Sequence, residues 1–572
     1  MRLEPKPPPP MPPALSFRSS EGQQALRTIV MKLIPHWPTG LREFQSESIS
    51  HILDNQDLFA ITATGDGKSA LFAIPILVHA EVANNPTLYP SFSVTMRKKP
   101  VGIVITPTKG LANNIVYELQ HQFRIPAFAY TQNNVSDASR NGRNIVKEII
   151  DCKFQIVCVD PEHLRKPEWT TITDSEPFRS NVIFGCTEEA HVVEEWGLGF
   201  RPLFRLIGSF FRGRLPSSIS RFAMTATMLP GAPYDSVCSS LGFHGPNFHL
   251  IRCSNECPNV QIDIEELTTP LGGREFPQLL PYLNQRRKTI IHVKTIELGY
   301  RVFLYLFKNA PKTYNRHCLA IATKAFSLGI HADPLEDSIC VGDPDTQPET
   351  DQLGGRVGRN RSRNARRIIL VPSSQLKKAK QMVKDGIDTS TLNAKTAPMD
   401  PIKASFLGES FCRPARLNRI YQNPDPETGY LDCIQAKRRL PCDLCRARYD
   451  LIVLPSFPPS ASTDVLPPFI VPPPVTNAKK SKKRQDELKK KEIQLVRTAL
   501  MDFDKQVWLE ERTRLTHRNV PRSLYFPSEI IDILLTDLLK ITSYSSLLND
   551  YMRPSRLYEV HPMTAEPFFG GL

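Results

Sequence analysis

Short apolar runs alternate with polar stretches of helix length through residues 17–375, and this alternation restricts the possible folds more than any other feature. Five such runs, each followed by turn residues, occupy the first part: Asp57–Thr62, Val101–Thr106, Gln155–Val159, Val182–Phe184 and Arg221–Thr225. The pattern resumes at Thr289–Val293 and continues to Ile368–Val371. Buried strands separated by helices are typical of parallel sheets covered by helices on both faces. The sequence therefore predicts an α/β fold with two tandem units.

Composition narrows the class of protein. The 572 residues carry a net charge of +14, which favours a polyanionic partner. Proline is over-represented, since it accounts for 51 of the 572 residues against an average share of about 5%. The prolines cluster in residues 1–16 and 455–475, where we predict a disordered tail and a semi-rigid linker. No stretch approaches the ~20 apolar residues of a membrane span, and the first residues lack the apolar core of a signal peptide. We therefore expect no membrane contact and a reducing compartment for the twelve cysteines.

A glycine-rich loop between a predicted strand and an apolar helix-length run is the strongest local motif. It reads Thr-Ala-Thr-Gly-Asp-Gly-Lys-Ser over residues 62–69. Glycines let backbone N–H groups approach phosphate oxygens, while Lys68 would reach the β- and γ-phosphates and Ser69 would hold Mg²⁺. The general pattern has glycine where Thr62 stands, so a chance Gly-Lys-Ser in a loop is the alternative. The residues predicted to bind the nucleotide here are Thr64, Gly65, Asp66, Gly67, Lys68 and Ser69.

Seven further elements follow a family order along the chain. Upstream of the loop, the run Leu41-Arg42-Glu43-Phe44-Gln45 resembles the adenine-reading element of RecQ-like superfamily 2 helicases. The later elements resemble motifs Ia, Ib, the acidic box, III, V and VI of that family, in this order: Val104–Thr108, Val159–Glu162, Thr187–His191, Thr225–Thr227, Ala322–Ile330 and Gln352–Arg359. The sequence thus resembles a RecQ-like DNA helicase with a DEAD/DEAH-type core.

This resemblance implies two RecA-like lobes, at residues 17–250 and 255–375, with ATP and Mg²⁺ between them. Arg42 and Gln45 would read the adenine, and Glu188 would act with Ser69 on Mg²⁺. Glu189 would activate the attacking water. From the second lobe, Arg356 and Arg359 would reach the γ-phosphate as arginine fingers, and Gln352 is a further implied catalytic residue. The implied activity is ATP-dependent 3′→5′ translocation on single-stranded DNA with unwinding of the duplex. The implied partners are single-stranded and forked DNA.

The loop after the acidic box, Trp196-Gly-Leu-Gly-Phe200-Arg201-Pro202, resembles the aromatic-rich loop of RecQ helicases. There, Trp196 and Phe200 would stack on bases and Arg201 would pair with phosphate. The alternative is that the two aromatic residues are core residues four positions apart on a helix.

Four cysteines in residues 400–450 have the spacing C-x20-C-x8-C-x2-C: Cys412, Cys433, Cys442 and Cys445. Four thiolates suit a closed tetrahedral structural zinc site, and the resemblance places a zinc module at this position. The gap between Cys433 and Cys442 is wider than is usual in the family, and buried or free thiols are the alternative.

Three departures from the family pattern keep other functions open. Glu188 replaces the usual aspartate, and Lys324 and His331 alter motif V. The stretch from Lys294 to Ile321 is too short for an extra strand and helix that the family has there, so the second lobe is predicted to be incomplete. A degenerate homologue that only binds nucleic acid, an RNA helicase and a generic P-loop ATPase remain alternatives.

Residues 476–572 form a basic and mostly helical region by sequence. Its lysine-rich run at residues 479–491 is typical of nuclear import or of phosphate contact, and otherwise of a solvated helix face. With the implied role in DNA repair or recombination, it predicts a nuclear protein. No protein partner is predicted.

Overall fold

The computed structural model describes residues 15–92, 96–197, 199–283, 287–309, 319–323, 335–386, 399–451 and 490–511, with 531, 534 and 535. Outside these residues lie most of the proline-rich tail, the whole linker at 455–475 and most of the C-terminal region. Residues 324–334, which contain most of motif V, also lie outside them. The last two residues of the predicted tail make hydrogen bonds to the chain that follows it. The Leu15 N–H donates to Ser91 O, and the Ser16 hydroxyl donates to Asp54.

The described residues contain twelve strands. In chain order they are β1 Asp57–Ile61, β2 Val101–Ile105, β3 Ala127–Tyr130, β4 Ile156–Val159, β5 Val182–Glu188, β6 Ser220–Thr225, β7 Phe248–Arg252, β8 Val260–Leu267, β9 Thr289–Val293, β10 Leu319–Thr323, β11 Asp337–Val341 and β12 Ala365–Pro372. Each of the seven predicted runs becomes a strand, which confirms the α/β prediction.

Two sheets result. The first has the order β3-β4-β2-β5-β6-β1-β7, with every neighbouring pair parallel. The second has the order β10-β9-β11-β12-β8, and β12 is parallel to both β11 and β8. Because the carboxyl ends of parallel strands share one edge, the loops after β1, β2, β4, β5 and β6 gather in one place. Those loops carry the predicted motifs.

Twenty-one α-helices flank and connect the strands of the described chain. They are α1 Ser20–Leu33, α2 Glu43–Leu53, α3 Ala70–Asn84, α4 Lys109–Gln122, α5 Gln132–Arg140, α6 Ile145–Ile150, α7 Pro161–Leu164, α8 Pro167–Asp174, α9 Glu176–Arg179, α10 Val192–Glu195, α11 Ile207–Arg214, α12 Ala232–Leu241, α13 Leu280–Leu283, α14 Ile296–Asn309, α15 Gln347–Gly354, α16 Ser373–Lys384, α17 Pro401–Leu407, α18 Arg413–Tyr421, α19 Pro426–Gly429, α20 Asp443–Arg448 and α21 Lys490–Glu511. Three 3-10 turns join them at Pro202–Leu206, Gly245–Asn247 and Pro277–Leu279.

Side-chain caps and burial explain the helices that position the motifs. Helix α3 is apolar on nearly all sides because it is buried beneath the first sheet, in one core with α1, α2 and β1. Helix α4 begins where the Thr108 hydroxyl accepts from Leu111 N–H, and α15 begins where Thr346 does the same for Glu349. A second core fills the opposite face of the first sheet, around the fully buried Trp169 and Phe178.

Contacts divide the chain into two units. One comprises residues 1–267, 287–292 and 322–458; the other comprises residues 268–286, 293–321 and 459–572. Within the second, Arg301 Nη1 donates to the carbonyls of Leu271 (2.7 Å) and Gly273 (2.5 Å), and Tyr305 packs edge-on against Phe276. Among the residues that the structure describes, no helix combines the length and apolarity that crossing a membrane requires.

Candidate nucleotide site, nucleic-acid interface and metal centre

The glycine-rich loop runs from the end of β1 into α3. Gly65 and Gly67 have φ of +88° and +78°, a region that favours glycine. A Cβ at Gly65 would lie 3.0 Å from the Arg359 Cα, and one at Gly67 would lie 2.8 Å from Gln45 Nε2. The two glycines therefore allow both the turn of the loop and the close approach of motif VI and of α2.

Thr62, which replaces the usual first glycine, braces the loop. Its hydroxyl donates to Asp66 Oδ2 at 2.6 Å. The Asp66 carboxylate also accepts from Arg42 Nη1 at 3.3 Å and from Arg361 Nη2 at 2.8 Å. Three side chains therefore hold the Asp66 carboxylate, so Asp66 contributes its main chain to the lining of the loop.

The remaining predicted nucleotide-binding side chains lie on the same loop or against it. Lys68 Nζ donates to the carbonyls of Thr62 (3.2 Å) and Ala63 (3.1 Å). Ser69 Oγ donates to Glu118 at 3.2 Å, and burial raises the pKa of Glu118. Gln45 Nε2 donates to Gly67 O at 3.0 Å.

Gln45 also organises the start of α2. Its Oε1 accepts from the Arg42 backbone N–H at 2.9 Å, which completes a capping box. The side chains predicted to read an adenine therefore lie next to the phosphate loop.

The acidic box follows directly from β5. Glu188 is the last residue of that strand, and its Oε2 atom is buried without a hydrogen-bond partner among the described residues. Burial, reinforced by the charge of Glu189 and opposed by Lys68, raises the pKa of Glu188 to about 8. An orphaned carboxylate oxygen within electrostatic range of Lys68 fits a Mg²⁺ ligand, because Mg²⁺ prefers carboxylate oxygens beside phosphate.

A buried chain of polar contacts connects the acidic box to motif VI on α15. His191 Nδ1 donates to Thr225 Oγ1 at 2.7 Å and lies 3.5 Å from Glu189 Oε2. On its other side, His191 Nε2 accepts from the Gln352 side-chain amide, which also donates to Thr227 Oγ1 at 3.4 Å. Elements 187–191, 225–227 and 352 therefore form one connected site.

Motif VI, which carries the two predicted arginine fingers, packs its backbone against the loop. The backbone of Arg359 touches Gly65, and a Cβ at the neighbouring Gly355 would lie 3.0 Å from Thr64 Oγ1. Arg356 is 9% exposed, and its Nε has no partner among the described residues. Burial and the charge of Arg359 lower the pKa of Arg356 to about 10. Two crowded guanidinium groups are stabilised by an anion, so this donor set fits a nucleoside triphosphate.

The aromatic loop holds its three predicted residues together. Trp196 is partly buried and lies edge-to-face with Phe200 (5.7 Å) and Phe204 (5.8 Å). Phe200 is 76% exposed, so it is not a core residue. Arg201 forms an ion pair with Glu162 of motif Ib, and its Nε donates there at 2.6 Å. The exposed Phe200 ring therefore lies on a loop that the Arg201–Glu162 ion pair connects to motif Ib.

The four late cysteines converge on one point. All four are buried, and their Sγ atoms lie within 4.8 Å of one another. The Cys412–Cys433 Sγ distance of 3.6 Å is too long for a disulfide of about 2.05 Å. It is close to the ~3.8 Å edge of a tetrahedron with Zn–S bonds of about 2.3 Å. Backbone N–H groups of Cys442 and Cys433 donate to the sulfurs of Cys433 and Cys445 at 3.4 Å each. The cluster fits a structural Zn²⁺ ion, with Cys433 included despite its wide spacing.

Polar contacts tie the cysteine module to the nucleotide site. The Tyr421 hydroxyl donates to Asp351 at 2.5 Å, directly beside Gln352 on α15. Arg438 pairs with Glu256 at 2.7 Å, in the segment between the two sheets. The module and motif VI are therefore mechanically connected.

Some site residues were not found from the sequence. His191 was part of a motif but had no predicted role, and Arg361 was overlooked although it lies two positions after Arg359 in a basic run. Glu118 comes from the middle of α4 and has no local sequence signal. These three were missed because their roles depend on which loops meet.

The sequence of this chain is similar to those of known helicases. The DEAD/DEAH box helicase family matches residues 42–233, which span the phosphate loop, the acidic box and the 225–227 element. A RecQ ATP-dependent DNA helicase of Haemophilus influenzae is 25% identical over 230 residues, 40% of this chain and 32% of its own length. These matches support a RecQ-like superfamily 2 helicase core, of which the DEAD/DEAH box helicase match covers residues 42–233.

Other relatives of this helicase core are also distant. The bifunctional 3′-5′ exonuclease/ATP-dependent helicase WRN of Mus musculus is 22% identical over 445 residues, 72% of this chain and 29% of that protein. A putative ATP-dependent RNA helicase, R290, of Acanthamoeba polyphaga mimivirus is 25% identical over 340 residues, 56% of each chain. The chain thus spans between about a third and just over half of the length of these relatives. The DUF1998 helicase MrfA bound to DNA and AMPPNP superposes with a TM-score of 0.47 at 15% identity, over 63% of this chain and 52% of MrfA.

Proposed function

We propose that this chain is an ATP-dependent DNA helicase that moves 3′→5′ along single-stranded DNA. The observation that carries the proposal is the buried chain from Glu189 through His191 to Gln352. It joins the acidic box to motif VI, and it meets Thr225 and Thr227 on the way. Such a connection gives a nucleotide-dependent change at one sheet a direct route to the other.

The residues of the loop would hold ATP, and Mg²⁺ would neutralise charge on its phosphates. Lys68 would leave the Thr62 and Ala63 carbonyls for the phosphates, and Ser69 with Glu188 would bind the metal ion. Glu189, which directly follows β5 and has a backbone φ of +51°, would orient the attacking water. Arg356 and Arg359 would stabilise charge that develops on the transferred phosphoryl group.

Coupling to DNA would pass through the aromatic loop. The exposed Phe200 ring offers a stacking surface for a base, and Arg201 links this loop to motif Ib through Glu162. The direction of movement, forked DNA as substrate, and the assignment of residues 17–250 and 255–375 as RecA-like lobes rest on the family resemblance. The cysteine cluster would hold zinc and stabilise the segment that contacts Asp351.

ATP hydrolysis by the purified chain, with single-stranded DNA, with RNA of the same sequence and without nucleic acid, tests the proposal. We expect stimulation by DNA, greater than by RNA, and loss of turnover in Glu189→Gln, which preserves size and backbone conformation. DNA binding without any hydrolysis would contradict the proposal and favour a degenerate nucleic-acid-binding homologue. Equal or greater stimulation by RNA would favour an RNA helicase.

Cellular location is a separate part of the proposal. The positive charge and the proposed DNA substrate favour the nucleus, with a role in DNA repair or recombination. A tagged chain that stays in the cytoplasm would contradict this location.

A further inference from the structure

Three metal-ligating side chains meet on the first sheet, outside the site described above. Glu47 and His51 lie one turn apart on α2, and His249 lies on β7, the edge strand that pairs with β1. None of the three has a role in the proposed hydrolysis. Two imidazoles and a carboxylate are a ligand set that transition-metal ions use.

Their geometry is close to that of a binding site. The ligand atoms of the three side chains lie within 4.8 Å of one another. His249 Nε2 and Glu47 Oε1 are 2.8 Å apart, and the rings of His51 and His249 stack with centroids 3.9 Å apart and planes 6° apart. The His249 and Glu47 side chains are 38% and 47% exposed, so an ion has access from solvent.

The hydrogen bond of His51 fixes which of its nitrogens is available. His51 Nδ1 donates to Gln56 Oε1 at 2.7 Å, and an amide oxygen can only accept. The Nε2 atom of neutral His51 therefore carries a lone pair. Gln56 is itself anchored, since its N–H donates to His51 O at 2.9 Å and its carbonyl accepts from Ser220 Oγ at 2.6 Å. A second ring nitrogen held by an anchored oxygen is the arrangement that orients metal-bound histidines.

We propose that Glu47, His51 and His249 form a divalent transition-metal site for an ion that prefers imidazole, such as Zn²⁺ or Ni²⁺. Imidazole lone pairs lie in the ring plane, so the stacked rings must tilt to converge on one ion. The exposed His249 side chain provides that movement, and water would complete the coordination. The ion would join α2 to β7 and thereby brace the two elements beside β1, whose end is the phosphate loop.

Titration of the tag-free chain with Ni²⁺, followed calorimetrically, tests the site while the four-cysteine cluster keeps its own ion. We expect one Ni²⁺ bound per chain and a higher thermal midpoint of unfolding with Ni²⁺. His249→Asn is expected to weaken binding by about tenfold or more, since even residues around a site commonly change affinity 10–100-fold. Glu47→Gln is expected to weaken it as well.

His244→Asn is the matched control, because His244 is an exposed histidine five positions from His249. It should bind Ni²⁺ as the unaltered chain does. Thermal midpoints without metal check that each variant is folded, and the near-ultraviolet thiolate-to-nickel band checks that Ni²⁺ has not entered the cysteine cluster. Equal Ni²⁺ affinity in His249→Asn and the unaltered chain, or no binding by the unaltered chain, would overturn the proposal.

Discussion

Replacing Glu188 with glutamine should stabilise the nucleotide-free protein at neutral and alkaline pH while it abolishes Mg²⁺-dependent ATP hydrolysis. Burial and the neighbouring charge of Glu189 raise the pKa of Glu188 from 4.5 to about 8. Its Oε2 atom has no hydrogen-bond partner among the described residues. Ionisation of the Glu188 carboxyl therefore destabilises the folded chain. The uncharged amide of glutamine removes this destabilisation.

The sign of the effect follows from the raised pKa. The folded state binds the Glu188 proton more tightly than the unfolded state does, so the contribution to stability is fully present below pH 4.5 and is lost as pH rises toward about 8. At about 1.4 kcal/mol per pKa unit, ionisation costs the fold about 3 kcal/mol at pH 7 and below about 1 kcal/mol at pH 5. For a lobe of this size, 3 kcal/mol corresponds to a rise of roughly 6–12 °C in the thermal midpoint.

Thermal unfolding of both chains between pH 5 and pH 8, without nucleotide and followed by fluorescence, measures this difference. The buried Trp169 in the first core reports on the relevant lobe. Glu427→Gln, at an exposed carboxylate, is the control and should change stability by less than about 0.5 kcal/mol. A midpoint difference that does not grow with pH, or a Glu188→Gln chain that is less stable at pH 8, would show that ionised Glu188 does not destabilise the fold.

Three further substitutions test other parts of the structure. Asp337→Asn should lower the stability of the second sheet by about 3–5 kcal/mol, because the fully buried carboxylate accepts from Arg287 (3.0 Å) and Arg366 (2.6 Å); urea unfolding with a loss below 1 kcal/mol would contradict this. Cys433→Ser should reduce bound zinc measured by mass spectrometry, and unchanged zinc content would remove Cys433 from the site. Arg361→Ala should raise the KM for ATP because Asp66 loses its 2.8 Å partner, with Arg361→Lys partly restoring it; an unchanged KM would show that this pair does not support the loop.

Most strands that are buried on both faces were predictable from the sequence. The stretches 58–61 and 101–105 lack polar side chains, and each lies in a strand. Strand β8 was missed because its sequence, VQIDIEEL, alternates apolar residues with acids at the edge of the second sheet. Strand β3 was missed because AFAY is short and lies next to no recognised motif.

The parts of the candidate site that were predictable are those formed by residues close together in the sequence. The phosphate loop, the acidic box and motif VI each occupy one short run, so their side chains were found without knowing the fold. Arg361, Glu118 and the role of His191 depend on contacts between distant loops, as in the 2.8 Å pair between Arg361 and Asp66. The wide gap before Cys442 was similarly uninformative, because the chain between two ligands can take a longer path to the same point.

Strand displacement by the purified chain tests the central proposal most directly. Labelled duplexes with a 3′ single-stranded tail, a 5′ tail or blunt ends would be incubated with ATP and Mg²⁺, beside the Glu189→Gln chain. We expect ATP-dependent unwinding of the 3′-tailed duplex, little of the other two, and none by Glu189→Gln. Binding of the tailed duplex without ATP-dependent displacement, or displacement that persists in Glu189→Gln, would contradict it.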